Sequence, residues 1–216
     1  MSRNSFSVES QPTKKIKDKD IRAALTSLLE QNSCDQVGFV DCSRIYNEFS
    51  VDHGEHRIDV VVVNDNIHGY EIKSDADTLY RLPAQVEAYN NVFNKITLVT
   101  GVSHVFDALF MIPDWWGVML AKSRPDGTVV LSNLRDPLDK PSQDMMSLTR
   151  LMRRQEVLET LDDMNEARGV KSMPREHIYK RFVSVADKKT IQNTVIEKLL
   201  NRAIGQAGQP QQQYGG

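Results

Sequence analysis

Apolar residues recur at helical spacing between Ile16 and Gln31, where Ile21, Ala24, Leu25, Leu28 and Leu29 share one side and acids gather early. This pattern predicts an amphipathic first helix. The period then changes. Three runs rich in β-branched and aromatic residues follow, RIYNEFSV (44–51), RIDVVVV (57–63) and IHGYEIKS (67–74), separated by the turn-forming stretches DHGE and NDN. They predict a three-stranded meander. Pro83 opens a second helix to about Phe93, in which Val86, Tyr89, Val92 and Phe93 keep helical period, and KITLVT (95–100) reads as a short buried strand. The expected order of the first half is α-β-β-β-α-β.

Further on, SHVFDALFMI (103–112) suggests a short helix and WWGVMLA (115–121) a strand. TVVLSNL (128–134) is another strand, following the Pro-Asp-Gly turn at 125–127, and the two can extend the sheet. From Gln143 the residues Leu148, Leu151, Met152, Leu158 and Leu161 form one long amphipathic stripe that Gly169 breaks. Ser172 and Pro174 suit the cap and first residue of a helix to about Phe182, and Asp187 can start another reaching Ile204. Both ends are polar and aperiodic. The organisation expected is an α/β domain over 15–142 and a helical C-terminal region over 143–204, between disordered ends at 1–14 and 205–216.

Composition narrows the class. At 216 residues and 40% hydrophobic content the chain can bury one sizeable core. Cys34 and Cys42 are spaced neither as a redox pair nor as a zinc knuckle, so a reducing cytoplasm is the expected setting. The N-terminal stretch has no apolar signal core, and no run of about 18 apolar residues offers a membrane span. The net charge of −2 hides an asymmetry: residues 168–202 carry nine Lys/Arg against three Asp/Glu, while residues 1–167 are acidic. Such a segment reads either as a nucleic-acid-binding face beside an acidic body or as a solvated helical surface.

The candidate chemistry lies in the meander. Along Gly69-Tyr70-Glu71-Ile72-Lys73-Ser74, alternation puts Glu71 and Lys73 on one face of a strand and Tyr70 and Ile72 on the other. The strand before it carries Asp59 in an apolar run, and a hairpin around Asp65-Asn66 can bring Asp59 across from that pair. Two carboxylates suit Mg²⁺ or Mn²⁺. An amine beside them can orient or deprotonate water, or balance charge on phosphorus in a transition state. Glu-x-Lys alone is weak, because an exposed ion pair on an edge strand looks the same.

Taken with the element order, this segment resembles the PD-(D/E)XK nuclease superfamily, whose motif is an Asp on one strand and Glu-x-Lys on the next. Asp59, Glu71 and Lys73 match it residue by residue, and Ile58 stands where proline often precedes the Asp. Gln85 and Tyr89, four apart on the following helix, look like the Gln-x-x-x-Tyr motif of its RecB-like branch. The longer phrase from Arg57 through Tyr89 is similar to small bacterial and phage-borne members of that superfamily. The resemblance implies a restriction-endonuclease-like αβββαβ core with a mixed central sheet, the C-terminal helical region being added to it. It also implies a Mg²⁺ or Mn²⁺ ion held by Asp59, Glu71 and the Ile72 main-chain carbonyl, and a DNA substrate with RNA left open. Glu48, on the first strand, is either a further ligand or a solvent-facing strand residue.

Other residues have competing readings. Asp75 and Asp77 suit turn formation and capping. His53 and His56, in a glycine-bearing turn, lack partners for a zinc set, and His104 reads as a hydrogen-bonded structural histidine. Trp115 and Trp116 fit the core or an interface. Arg57 and Arg81 can contact phosphate or pair with neighbouring acids. Arg175, Lys180, Arg181, Lys188 and Lys189 lie on two helices joined near Val183–Ala186, a spacing compatible with a helix-turn-helix-like element that touches nucleic acid. The alternative function is a catalytically silent module that binds nucleic acid or a protein partner through its C-terminal helices. A homodimer is compatible with either reading.

Overall fold

A computed structural model describes residues 15–34, 43–140 and 142–202. The expected disordered ends, the helix limit at Ile204 and Cys42 lie outside the described residues. The first helix, α1, spans Asp18–Cys34. It starts two residues after the apolar stripe, whose first member Ile16 is nevertheless buried. Strands β1 (Arg44–Val51), β2 (His56–Val63) and β3 (Ile67–Lys73) follow, then helix α2 (Leu82–Asn90) and strand β4 (Lys95–Gly101). A short helix α3 (Val105–Leu109) leads to β5 (Gly117–Ser123) and β6 (Val129–Arg135).

The six strands form one sheet in sequence order. Strands β1, β2 and β3 are antiparallel, β3, β4 and β5 run parallel, and β6 returns antiparallel, so the protein is α/β with a mixed sheet. Parallel pairing needs a crossover, and α2 and α3 supply the two. The sheet is coated on both faces. Ile21, Leu25 and Leu29 of α1 pack with Val60, Tyr70, Ile72 and Val99 on one side. The other side holds the larger core, in which Ile58, Val61, Tyr89, Phe93 and Trp116 meet the C-terminal helices. Gly69 leaves room there for Ile58, whose Cδ1 would stand 2.5 Å from a Cβ at that position and would have to shift.

The long C-terminal stripe is not one helix. It divides into α4 (Met145–Thr149) and α5 (Arg154–Asp163), because each start is capped locally. The Asp144 carboxylate accepts the Ser147 N–H at 2.7 Å, and the Glu156 carboxylate accepts the Arg153 N–H at 2.7 Å. Nor does Gly169 end α5, which stops at Asp163. Asn165, at φ 60°, turns the chain there, and the Glu166 N–H reaches back to the Leu161 carbonyl at 2.7 Å. Helices α6 (Arg175–Val185) and α7 (Lys188–Asn201) follow, the latter capped by Asp187 as expected. Leu148, Leu161, Tyr179, Phe182, Val195 and Leu199 all belong to the larger core, so the C-terminal helices share that core with the sheet. None of the described helices is long and apolar enough to cross a membrane.

Candidate active site

Glu71 and Lys73 share the larger-core face of β3, as strand alternation requires, and both are buried. Lys73 Nζ donates to Glu71 Oε1 at 2.5 Å and to Gln85 Oε1 at 2.9 Å. The Gln85 amide nitrogen donates to the same Glu71 oxygen at 2.7 Å. Gln85 and Tyr89 lie one turn apart on α2, so both reach β3 from above. The Tyr89 hydroxyl is 3.1 Å from Glu71 Oε2 and 2.8 Å from the Arg57 carbonyl, and its single proton can serve only one of them. A proton on Glu71 resolves this, since Tyr89 then accepts from Glu71 and donates to Arg57. Burial pushes the Glu71 carboxyl up to about 7, outweighing the Lys73 ammonium, and the Asp59 charge adds to the rise. Tyr89 is raised as well, by burial and then by Glu71.

Asp59 does not lie simply opposite this pair. Ladder pairing between β2 and β3 ends at Val60 and Tyr70. Ile58 and Val61 both belong to the larger core and Val60 to the smaller one, so side-chain alternation breaks at Asp59. The Asp59 carboxylate enters the gap and accepts the Ile72 main-chain N–H at 2.7 Å. On the other side, pairing of β1 with β2 skips Glu48 and Asp59, between the pairs Asn47–Val60 and Phe49–Ile58. Glu48 is left-handed, at φ 52°, a conformation costly for any residue but glycine.

Arg22 of α1 fills the opening. Its guanidinium donates to Asp59 Oδ1 at 2.5 Å and to the Asp59 carbonyl at 2.8 Å, and pairs with Glu48 Oε1 at 2.9 Å and Asp18 Oδ1 at 3.3 Å. Burial raises the Asp59 carboxyl, and the Ile72 N–H and Arg22 oppose that rise only in part. Burial alone would lower Arg22, but Asp59 and Asp18 more than compensate and the net shift is upward.

Asp18, Glu48, Asp59, Glu71, Ile72, Lys73 and Gln85 line one cleft of about 810 Å³. His56, Arg57, Asp77 and Arg81 line it as well. The donor set is all oxygen and suits a hard cation, which keeps several waters and takes one or two carboxylates. No group of three or more acids or histidines among the described residues is preassembled around a metal position. Asp59 and Glu71 are instead each paired with a cation of the chain itself, Arg22 and Lys73. Two carboxylates and an ammonium lining one cleft are the groups that metal-assisted phosphoryl chemistry uses.

The remaining candidates divide. Asp75 accepts the Ser103 hydroxyl at 2.7 Å and the Ile16 N–H at 3.2 Å, and Asp77 accepts the Ser74 N–H at 2.7 Å. These are turn-organising contacts. Gly101 makes room for Asp75, whose Oδ1 lies 2.3 Å from where a Cβ would sit. His53 bonds Glu176 at 2.8 Å and Arg175 at 3.0 Å, away from the acids. His104 Nε2 is buried without a partner among the described residues, so the expected structural hydrogen bond is absent on that nitrogen. Trp116 is fully buried and donates to Asn90 at 2.9 Å. Arg175 and Arg181 are engaged with Tyr179 and Glu166, whereas Lys180, Lys188 and Lys189 are exposed. Sequence reasoning missed Arg22 and Asp18. Their only trace is an i, i+4 acid–base pair beside the buried stripe of α1, on the side that faces β2.

Fold and cleft together define an α/β protein with a buried acid–lysine–amide cluster where the strands of a mixed sheet part. The chain belongs to the family of bacteriophage P4 protein cII, whose model matches residues 11–206. Protein cII of Enterobacteria phage P4 is 30% identical over 84 residues, 39% of this chain and 30% of that protein's length. The aligned stretch thus spans less than a third of this curated relative. The link to phage expected from the sequence is carried by this family. No solved structure matches the chain.

Proposed function

We propose that the chain is a nuclease of the PD-(D/E)XK kind that hydrolyses phosphodiester bonds in DNA with Mg²⁺ or Mn²⁺. One observation carries the reading: Glu71, Lys73 and Gln85 form a buried hydrogen-bonded network on the wall of the cleft that Asp59 also lines, with Tyr89 bonded to it from behind. A lysine and a glutamate buried this deeply are costly to keep for structure alone. A bound divalent cation would polarise the scissile phosphate and acidify a water. Asp59, Glu71 and the Ile72 carbonyl would hold it, with Glu48 within reach through the same cleft. Gln85 fixes the rotamers of Glu71 and Lys73 by bonding both. Lys73 can then orient the attacking water or balance the charge gathering on the phosphoryl oxygens. Arg57 and Arg81 line the same cleft and could contact the phosphates of a nucleic-acid backbone entering it.

The test incubates the purified chain with circular, linear and single-stranded DNA, and with RNA, in Mg²⁺, Mn²⁺ or chelator. Cleavage of DNA that chelator and Lys73→Ala both abolish is the expected result. Absence of cutting on every substrate, or undiminished cutting by Lys73→Ala and Asp59→Ala, overturns the proposal. A second reading has its own support: with Arg22 and Lys73 already paired with the two acids, a silent binding module could keep the same arrangement. That module would bind DNA in chelator and never cut it.

A further inference from the structure

Arg22 Nη2 touches carboxylates from three elements, Asp18 of α1 at 3.4 Å, Glu48 of β1 at 2.9 Å and Asp59 of β2 at 2.5 Å. All three acids line the cleft, and two of them sit where the β1–β2 ladder opens. Three carboxylates converging on one nitrogen surround a cation, and here the cation belongs to the chain. We propose that Arg22 is the resident cation of the cleft, and that a divalent ion enters by displacing its guanidinium from Asp59 and Glu48. The inference rests on the metal-dependent reading above and adds how the metal site is held before the ion arrives.

The geometry favours exchange over coexistence. Arg22 takes Asp59 Oδ1 and the Ile72 N–H takes Oδ2, so both oxygens of Asp59 are already engaged and the guanidinium stands on the cleft-side one. An ion at either oxygen would also face the guanidinium's positive charge at close range. Arg22 has somewhere to go. Asp18, one helical turn away, already accepts its Nε at 3.3 Å, so the displaced side chain keeps a partner on its own helix. Glu48, freed from Arg22, would gain a lone pair for the ion or its waters. Glu48 lines the cleft from a left-handed backbone position.

The experiment titrates Mn²⁺ into the full chain by calorimetry, comparing the parent with Arg22→Gln, Arg22→Lys and Asp59→Asn. Thermal unfolding with and without Mn²⁺ is recorded on the same samples. Arg22→Gln removes the competing charge and is expected to bind Mn²⁺ about fivefold tighter, the upper scale of one lost ion pair. It should also show a larger Mn²⁺-induced rise in Tm than the parent. Arg22→Lys keeps the charge but cannot bridge three acids, so its affinity should lie between; it carries the test if Arg22→Gln fails to fold. Equal or weaker Mn²⁺ binding by the Arg22 variants overturns the inference and leaves the metal reading standing. Failure of every protein to bind Mn²⁺, or parent-like binding by Asp59→Asn, overturns both.

Discussion

The carboxylate of Asp59 stands in for a strand: it accepts the Ile72 N–H at the point where β2 has stopped pairing with β3. A buried amide left without a partner there would cost about 1–3 kcal/mol, and Asp59 removes that cost while carrying charge into the cleft. Asp59→Ala should therefore destabilise the fold by about 2 kcal/mol. Asp59→Asn, which keeps an acceptor oxygen, should lose distinctly less. Urea unfolding of both variants measures the difference, and equal losses would show that the Ile72 contact contributes nothing.

Across the same opening, Glu48 holds φ 52° with a side chain that normally disfavours it. Strain of this kind persists where the surrounding structure imposes it. Replacing Glu48 removes its pairing with Arg22 and Arg57 in any variant, so the comparison that isolates the backbone is glycine against alanine. Glu48→Gly should be more stable than Glu48→Ala by about 1 kcal/mol, because only glycine adopts that φ at no steric cost. A Glu48→Ala variant as stable as Glu48→Gly would mean that the segment relaxes.

The two openings explain what could be read from the sequence. Runs of β-branched and aromatic residues between turn stretches located β1 to β3 and β4, and helical period located α2, because their apolar residues face a core on at least one side. Glu71 with Lys73, and Gln85 with Tyr89, were legible for the same reason: their spacing of two and four is the spacing of their elements. Asp59 was found by type, but its position in the gap was not, since a break in alternation leaves no mark in a run such as RIDVVVV. Arg22 was missed because its partners lie 26 and 37 residues away. The split between α4 and α5 was hidden by a stripe that continues across the turn, where Leu151 and Met152 stay buried outside both helices.

Titration of Glu71 should be visible in stability. Its folded-state value, about 7, lies above the ordinary 4.5 because burial disfavours the charge. The folded state therefore holds the proton more tightly than the unfolded chain. The resulting stabilisation is fully present below about pH 4.5 and is lost as pH rises through about 7, by about 3 kcal/mol in total. Asp59, also raised, adds in the same direction. Glu71→Gln should flatten the stability profile between these pH values, measured by chemical unfolding. Mn²⁺ affinity should move the opposite way, tightening as pH rises through about 7, because the ion competes with the proton. A parent profile that already matches Glu71→Gln would place the proton elsewhere.

The basic C-terminal segment contains two kinds of cation, and they should respond differently. Arg181 pairs with Glu166, and Arg175 bonds Tyr179 and His53, so both tie α6 to neighbouring elements. Lys180, Lys188 and Lys189 project from α6 and α7 into water with no partner needed for the fold. If this face meets a nucleic-acid backbone, replacing the three lysines by alanine should leave Tm within about 2 °C, since surface changes usually stay within about 0.5 kcal/mol. DNA affinity at low salt should fall, and the slope of log affinity against log salt should shrink by about 0.9 for each lysine that contacts a phosphate. Arg181→Ala should do the reverse, lowering Tm while leaving the salt slope of the folded protein intact. Fluorescence anisotropy in chelator, which prevents cutting during the titration, measures both slopes. An unchanged slope in the triple-lysine variant would assign this charge to solvation and return the nucleic-acid path to Arg57 and Arg81 at the cleft.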